Sequence, residues 1–246
     1  MMMNDKFFKL MEQHVSVRNF KEEPLEKDIK DQLLMAAYSG SSSNFLQATS
    51  IIEVTDPKIR NQLATIARAP HAQKSGAFFV FVADMYRLAK VLEQKGNAVK
   101  PITSMESLMV SIVDTTISAE NMALAAEAIG LGICYIGGIR NDLTKVSTLL
   151  DLPKYTVPLF GLTIGIPKSK NDPKPRMPLK NHVFNNRYNT NLSRNLAGYD
   201  ETMRDYYAHR NSNSITSDWT TKTSDFLTNS QRPDIAPFLR HQGFEI

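Results

Sequence analysis

Between Ser104 and Gly130 the chain runs without a proline or a glycine. Met, Leu, Ala and Glu recur through it, so one continuous helix of roughly 40 Å is the natural reading. One apolar stripe follows Met105, Leu108, Met109, Ile112, Val113, Met122, Ala123, Ala126 and Ile129, and a second follows Val110, Ile117, Leu124 and Leu131. Glu106, Asp114, Glu120, Asn121 and Glu127 fill what remains. A helix apolar most of the way round wants burial on more than one side, which makes it a central core helix shared with a second subunit. Its carboxylates argue against a membrane span, since each is costly in hydrocarbon. Gly130 and Gly132 end the helix, and Ile133 to Ile136 reads as a short buried strand entering a Gly137-Gly138 turn. Adjacent glycines after a strand let backbone amides approach a ligand closely.

The remaining composition sets bounds. A chain of 246 residues with 42% apolar and 22% charged residues has length and hydrophobicity for a real core. The net charge of +4 is scattered and no aromatic platform accompanies it, so an anionic small ligand fits better than nucleic acid. Cys134 is the single cysteine, which excludes an internal disulfide, and its apolar neighbours mark it as a core thiol rather than a nucleophile. No signal peptide and no membrane span is read, so a cytoplasmic location is expected.

Taken in order, Lys6 to Gln13 has helical spacing of Phe7, Leu10 and Met11, and stops at His14-Val15-Ser16-Val17-Arg18. In an extended segment His14, Ser16 and Arg18 share a side: an imidazole, a hydroxyl and a guanidinium suited to phosphate oxygens, or an ordinary polar strand end. A helix opened by Pro24 runs through Tyr38, and the Ser/Gly run to Asn44 breaks it. Gln47 to Thr55 and Ala77 to Ala83 are strands, the second apolar enough to be buried on both faces. Helices are expected from Pro57 to Ala67, Met85 to Lys95 and Asn141 to Leu150, with a loop at Arg68-Ala69-Pro70-His71 and a strand from Val157 to Ile166. Lys168 to Pro178 is basic and proline-rich, either a solvated loop or a stiff segment presenting Lys174 and Arg176. An extended arm is expected from His182 to Asn195. Helices follow from Tyr199 to Arg210, Asp218 to Thr228 and Pro233 to Gln242, with a mobile polar loop after Arg210. No GxGxxG follows a strand, which argues against a doubly wound dinucleotide fold.

The order of these pieces carries more than any one of them. His14-x-Ser16-x-Arg18-Asn-Phe20, Ser41-Ser-Ser-Asn-Phe-Leu-Gln47, Gly130-Leu-Gly-Ile-Cys-Tyr-Ile-Gly-Gly-Ile-Arg-Asn141, Leu159-Phe-Gly-Leu162 and Lys174-Pro175-Arg176-x-Pro178 follow one another, with Tyr206-Tyr207-x-x-Arg210 and Trp219 beyond. The set resembles the oxygen-insensitive, NADPH-dependent nitroreductase and flavin reductase family, over nearly the whole chain. The resemblance implies an α+β fold, with a mixed central sheet flanked by helices and an intertwined homodimer around the long helix. It implies one nitroreductase-type domain, with a flavin-binding core over 1–180 and an arm with C-terminal helices over 181–246. FMN would be the cofactor and NADPH the co-substrate, in a ping-pong cycle that delivers two electrons to nitroaromatics, quinones or free flavin. Carried over by position, His14, Ser16, Arg18, Lys174 and Arg176 would meet the FMN phosphate, with Val15, Val17 and Pro175 as their neighbours in the motifs. Ser42 and Ala69-Pro70-His71 would lie near the flavin, and the backbone from Tyr135 through Ile136, Gly137 and Gly138 would pass along its ring. Arg210 would meet NADPH, and no side chain is assigned as general acid or base.

The chain departs from the pattern twice. Ala69 stands where a glutamine is usual, so one hydrogen bond to the ring is expected to be missing or replaced. The interval between Arg210 and Trp219 holds no cation, so Arg210 is expected to stand alone and discrimination for NADPH to be weakened. A non-catalytic flavin- or nucleotide-binding sensor on the same fold is the alternative from another functional class. A dehalogenase or flavin-degrading enzyme is the alternative within it.

Overall fold

Ser104 fixes where the long helix starts. In the computed structural model its hydroxyl accepts from the Ser107 amide at 3.2 Å, and the helix then runs over Met105–Ala128 until Gly130 adopts φ +86°. The structure describes residues 5–210, 214–229 and 232–246. By their contacts they form two units: 1–170 with 232–246, and 171–231.

In the first unit α1 (Asp5–Glu12), α2 (Lys27–Tyr38), β1 (Thr49–Glu53), α3 (Pro57–Ile66) and α4 (His71–Lys74) precede β2 (Ala77–Asp84). Then come α5 (Tyr86–Gln94), the long helix α6, β3 (Gly132–Ile136), α7 (Leu143–Leu149) and β4 (Thr156–Gly165). The second unit holds α8 (Thr190–Arg194), α9 (Ala197–His209) and α10 (Trp219–Asn229), and α11 (Ile235–His241) returns to the first. The sheet order is β1-β2-β4-β3, with every pair of strands antiparallel. The mixed character expected of the sheet is confined to one parallel bridge, Ser16 to Ile133. That bridge is short because the chain before Ser16 turns back into α1 and the chain after Val17 turns toward Pro167, where Phe20 makes an antiparallel bridge.

Strand β2 is buried at all eight positions and serves two cores by alternation. Ala77, Phe79 and Phe81 pack with Leu33, Ala37, Met122 and Ala126 of α2 and α6. Phe78, Val80 and Val82 pack with Leu63, Ala64 and Val146 of α3 and α7. A third cluster joins Ala83, Met85 and Leu108 to Phe238 and Phe244, so the last helix belongs to this core and not to the arm.

The covered face of α6 takes in only part of the apolar stripe: Leu108, Met122, Ala123 and Ala126 are buried together with Ser111, Asp114, Thr115, Ser118 and Ala119, the small residues among them let α2 and the sheet approach, and Ser118 Oγ donates to the Ala37 carbonyl at 3.0 Å. Met105, Met109, Ile112 and Val113 remain exposed within the chain. Burial on more than one side is therefore met on one side only. In the second unit the expected extended arm is also revised. Asn189 accepts from the Asn191 and Leu192 amides and starts α8, and Asn181 Nδ2 donates to the Leu192 and Asn195 carbonyls.

Asp114, only 3% exposed, faces the loop between α2 and β1. Its carboxylate accepts from the Ser42 hydroxyl (2.6 Å), the Ser43 amide (3.0 Å) and the Ala48 amide (3.1 Å). Asn44, Phe45 and Gln47 in that loop all have positive φ, a conformation that holds only where its surroundings impose it. Asp114→Ala leaves the buried Ala48 amide unpaired and is expected to lower the unfolding free energy by about 3 kcal/mol in urea titrations, with Asp114→Asn intermediate. Equal stability of Asp114→Ala and wild type would remove the loop's anchor from this account.

Candidate functional site

Val17 donates its amide to the Ile133 carbonyl at 2.8 Å, laying residues 15–17 beside β3. Gly132 permits this: a Cβ there would stand 2.6 Å from Val17 Cγ2. Val17 is buried, His14, Val15 and Ser16 are half-buried, and Arg18 is exposed. His14 Nδ1 pairs with Glu127 near the end of α6, at 2.9 Å. Asn19 and Lys21 bond to Lys168 and Ile166, which fixes the chain immediately after Arg18.

Two further stretches come to Arg18. Burial of Cys134 raises its thiol pKa, and the Arg18 guanidinium and Ser16 hydroxyl oppose that rise. Burial also lowers the His71 imidazole, and the same guanidinium lowers it further. The Arg18 charge is therefore felt both in β3, at Cys134, and at the start of α4, at His71. His71 Nε2 is buried without a hydrogen-bond partner. A neutral imidazole with a sealed, unpaired nitrogen next to an exposed guanidinium fits a ligand that brings its own polar edge.

The turn after β3 closes on the same region. A Cβ on Gly138 would stand 2.2 Å from the Ala67 carbonyl oxygen, so only glycine lets the two backbones meet. Asn141 Nδ2 donates to the Ile66 carbonyl at 3.0 Å, tying the turn to the end of α3, two residues before Arg68 takes φ +51°. Tyr135 uses its side chain elsewhere. Its hydroxyl donates to Glu120 at 3.0 Å, its ring meets Phe160 edge-on at 5.3 Å, and burial with Glu120 keeps the phenol protonated. Only its backbone faces the turn, and Ile136 is buried in the second core.

Several expected residues have other work. Ala69 is buried with Ala64 and Ala67 among the apolar residues behind the sheet, so the position usual for a glutamine is a packing position here. Pro70 is exposed. Ser42 Oγ donates to Asp114 and accepts from the Gln47 amide at 2.7 Å, which makes it part of the loop's frame.

In the second unit Lys174 and Arg176 are exposed, Pro175 is half-buried, and the Tyr199 hydroxyl donates to the Pro175 carbonyl at 3.0 Å. Arg210 does not stand alone. Its guanidinium lies 5.1 Å from the Tyr207 ring centroid, with Lys174 Nζ at 5.8 Å and Lys222 Nζ at 5.4 Å. Residues 211–213 of the expected polar loop lie outside the described residues.

Sequence reasoning did not single out Glu127, Arg140 or Lys222, which the structure places beside expected site residues: Glu127 at His14, Arg140 at the glycine turn and Lys222 at the ring of Tyr207. Glu120 and Glu127 are seven apart on α6, so a shared face was available as a signal for the first. Arg140 lies beside the glycine turn, its guanidinium 3.4 Å from where a Gly137 Cβ would be, and it donates to the Leu159 carbonyl at 2.5 Å. A lone lysine in a polar helix gives no signal. Among the described residues no group of His, Cys, Asp or Glu suits a metal, and no helix is long and apolar enough to cross a membrane.

The chain is similar to known proteins over nearly its whole length. The profile described as nitroreductase family matches residues 11–166, and that described as nitroreductase family, C-terminal domain, matches residues 174–246. An FMN reductase (NADPH) of Bacillus subtilis is 38% identical over 236 residues, covering 94% of this chain and 95% of the relative. A Cr(VI) reductase of Pseudomonas sp. is 39% identical over 237 residues, covering 96% and 97%. The solved structure of NfrA1 nitroreductase from B. subtilis superposes with TM-score 0.93 at 36% identity, covering 97% of this chain and 98% of that one.

The depressed His71 imidazole carries a pH signature. The unfolded chain takes up a proton near the ordinary imidazole value of 6.5 and the folded chain only at lower pH. Within that window the unfolded state binds more protons, so stability rises with pH. Urea unfolding of ligand-free protein from about pH 7 down to about pH 5 is expected to show declining stability, with a shallower decline in His71→Gln. An identical slope in the variant would assign the decline to other groups.

Proposed function

The chain belongs to the nitroreductase family, and on that premise we propose that it is an FMN-dependent oxidoreductase. It takes reducing equivalents from NADPH and passes two electrons to nitroaromatics, quinones or free flavin. The observation that carries the reading is the convergence of three stretches widely separated in sequence: the Val17 amide bonds the Ile133 carbonyl of β3 at 2.8 Å, and Gly138 after β3 lies against the Ala67 backbone ahead of His71. The names of the relatives support the same chemistry, an FMN reductase using NADPH among them.

In the first unit His14, Ser16 and Arg18 supply an imidazole, a hydroxyl and a guanidinium for the FMN phosphate. Glu127 holds the His14 ring by Nδ1 at 2.9 Å and so fixes its orientation. With FMN bound, the glycine turn at 137–138 would present backbone amides to it, and His71, whose Nε2 is buried without a hydrogen-bond partner, would offer a polar contact. When bound, FMN supplies two-electron chemistry in a ping-pong cycle between nicotinamide and acceptor. No side chain of the site is placed to serve as an acid or base. Cys134, with its thiol pKa raised by burial, stays protonated and takes no redox part.

A homodimer belongs to the same proposal. Met105, Met109, Ile112 and Val113 of α6 and Met35 and Tyr38 of α2 leave apolar side chains uncovered, as a helix shared between two copies requires. Sedimentation is expected to give a dimer, and Met109→Glu with Val113→Glu to give monomers with reduced FMN content. A flavin-loaded wild-type monomer would refute the shared site.

The direct test is the absorbance spectrum of purified protein before and after anaerobic NADPH. Flavin bands that bleach within seconds establish the activity. Bands that persist with both NADPH and NADH favour the sensor reading, and protein that neither holds nor takes up FMN overturns the assignment of Arg18.

A further inference from the structure

Helix α3 ends in a way that turns one residue outward and the next inward. The Ala69 amide donates to the Ala64 carbonyl at 2.9 Å and the Arg68 amide to the Thr65 carbonyl at 3.1 Å, the paired bonds of a Schellman motif. That motif needs a left-handed residue just past the cap, and Arg68 takes φ +51° there. It also folds the following residue back on the helix, which is why Ala69 is buried with Ala64. Glycine is the usual residue at the left-handed position, because a Cβ is strained in it. This chain keeps an arginine. A cation at a helix end is favoured by the helix dipole, but a basic residue in the last turn would gain as much without the strain, and the last turn of α3 has none.

The strained position lies at the candidate site. The Ala67 carbonyl, in the same peptide group as the Arg68 amide, is the atom that a Cβ on Gly138 would approach to 2.2 Å. Asn141 ties the same turn to Ile66. Three residues beyond Arg68, the His71 Nε2 is buried without a hydrogen-bond partner. Arg68 itself is exposed, and among the described residues no hydrogen bond or ion pair engages its guanidinium.

From this geometry we infer that the Arg68 guanidinium meets the N1 and C2-carbonyl edge of the bound flavin ring and raises the ring's affinity for electrons. The inference rests on the function proposed above. A guanidinium has donors only, and this is the ring edge that offers acceptors in both oxidation states. Negative charge collects there when the ring takes up two electrons, so a cation beside it stabilises the reduced form more than the oxidised one. Ala69, turned into the core, offers a ligand no side-chain group. Arg68 is the residue by which this turn brings a fixed charge to the ring.

The test compares Arg68→Gly and Arg68→Lys with wild type. Glycine suits the left-handed position, so Arg68→Gly is expected to be at least as stable to urea as wild type. Its dissociation constant for oxidised FMN, read from flavin fluorescence, is expected to rise roughly tenfold to hundredfold, the range for one charged hydrogen bond. Reduced FMN loses about a further tenfold, which lowers the two-electron midpoint potential by about 30 mV. Arg68→Lys keeps the charge but not the fork, so its potential stays near wild type while its affinity lies between the two.

Unchanged affinity and potential in Arg68→Gly show an arginine that only ends a helix, and overturn the inference. A potential that rises or stays the same, whatever the affinity, places the cation off that edge and overturns it as well. Wild type that takes up no FMN overturns the proposed function and the inference with it. Flavin that binds with these differences yet is bleached by neither NADPH nor NADH leaves the contact standing and removes the activity alone.

Discussion

Strand β2 is the member on which the first unit depends, because both of its faces are core. Phe79 and Phe81 belong to the side of α2 and α6, Phe78 and Val80 to the side of α3 and α7, and none is exposed. A one-residue slip would exchange the two sets and fill neither core. With β2 fixed, β4 is fixed by its pairing to β2, and β3 by its pairing to β4. The turn at Gly137 and Gly138 therefore projects from a strand whose register has no freedom. Val17 and Arg18 inherit that precision through the Val17–Ile133 bond. A ligand contact built on such elements keeps its geometry better than one on a free loop.

The long helix extends this order to parts that the sheet does not touch. Its small buried residues let α2 lie close, and Asp114 reaches from the same helix to hold residues 42–48. Seven residues apart toward the other end, Glu120 takes the Tyr135 hydroxyl and Glu127 takes His14. One helix thus positions a loop, a strand residue and a site residue by three carboxylates. Its large apolar residues are left for a face that the single chain does not cover.

Much of this was legible in the sequence, and the limits are physical. The absence of Pro and Gly from Ser104 to Gly130 specifies a helix whatever surrounds it. An all-apolar run such as Ala77 to Ala83 specifies a strand buried on both faces. Alternation at His14, Ser16 and Arg18 specifies a shared side. Periodicity does not say which face is covered inside one chain, and for α6 the apolar stripe and the buried face overlap only in part: Leu108, Met122, Ala123 and Ala126 are buried, Met105, Met109 and Val113 are not. Nor does it show the partner of a polar residue. Asp114 reads as one of the polar residues on a helix surface until the loop it holds is seen, and Ala69 reads as a lost contact until the core behind it is seen. The arm after His182 lacks apolar periodicity because α8 is held by the Asn189 cap and by Asn181, not by a hydrophobic face.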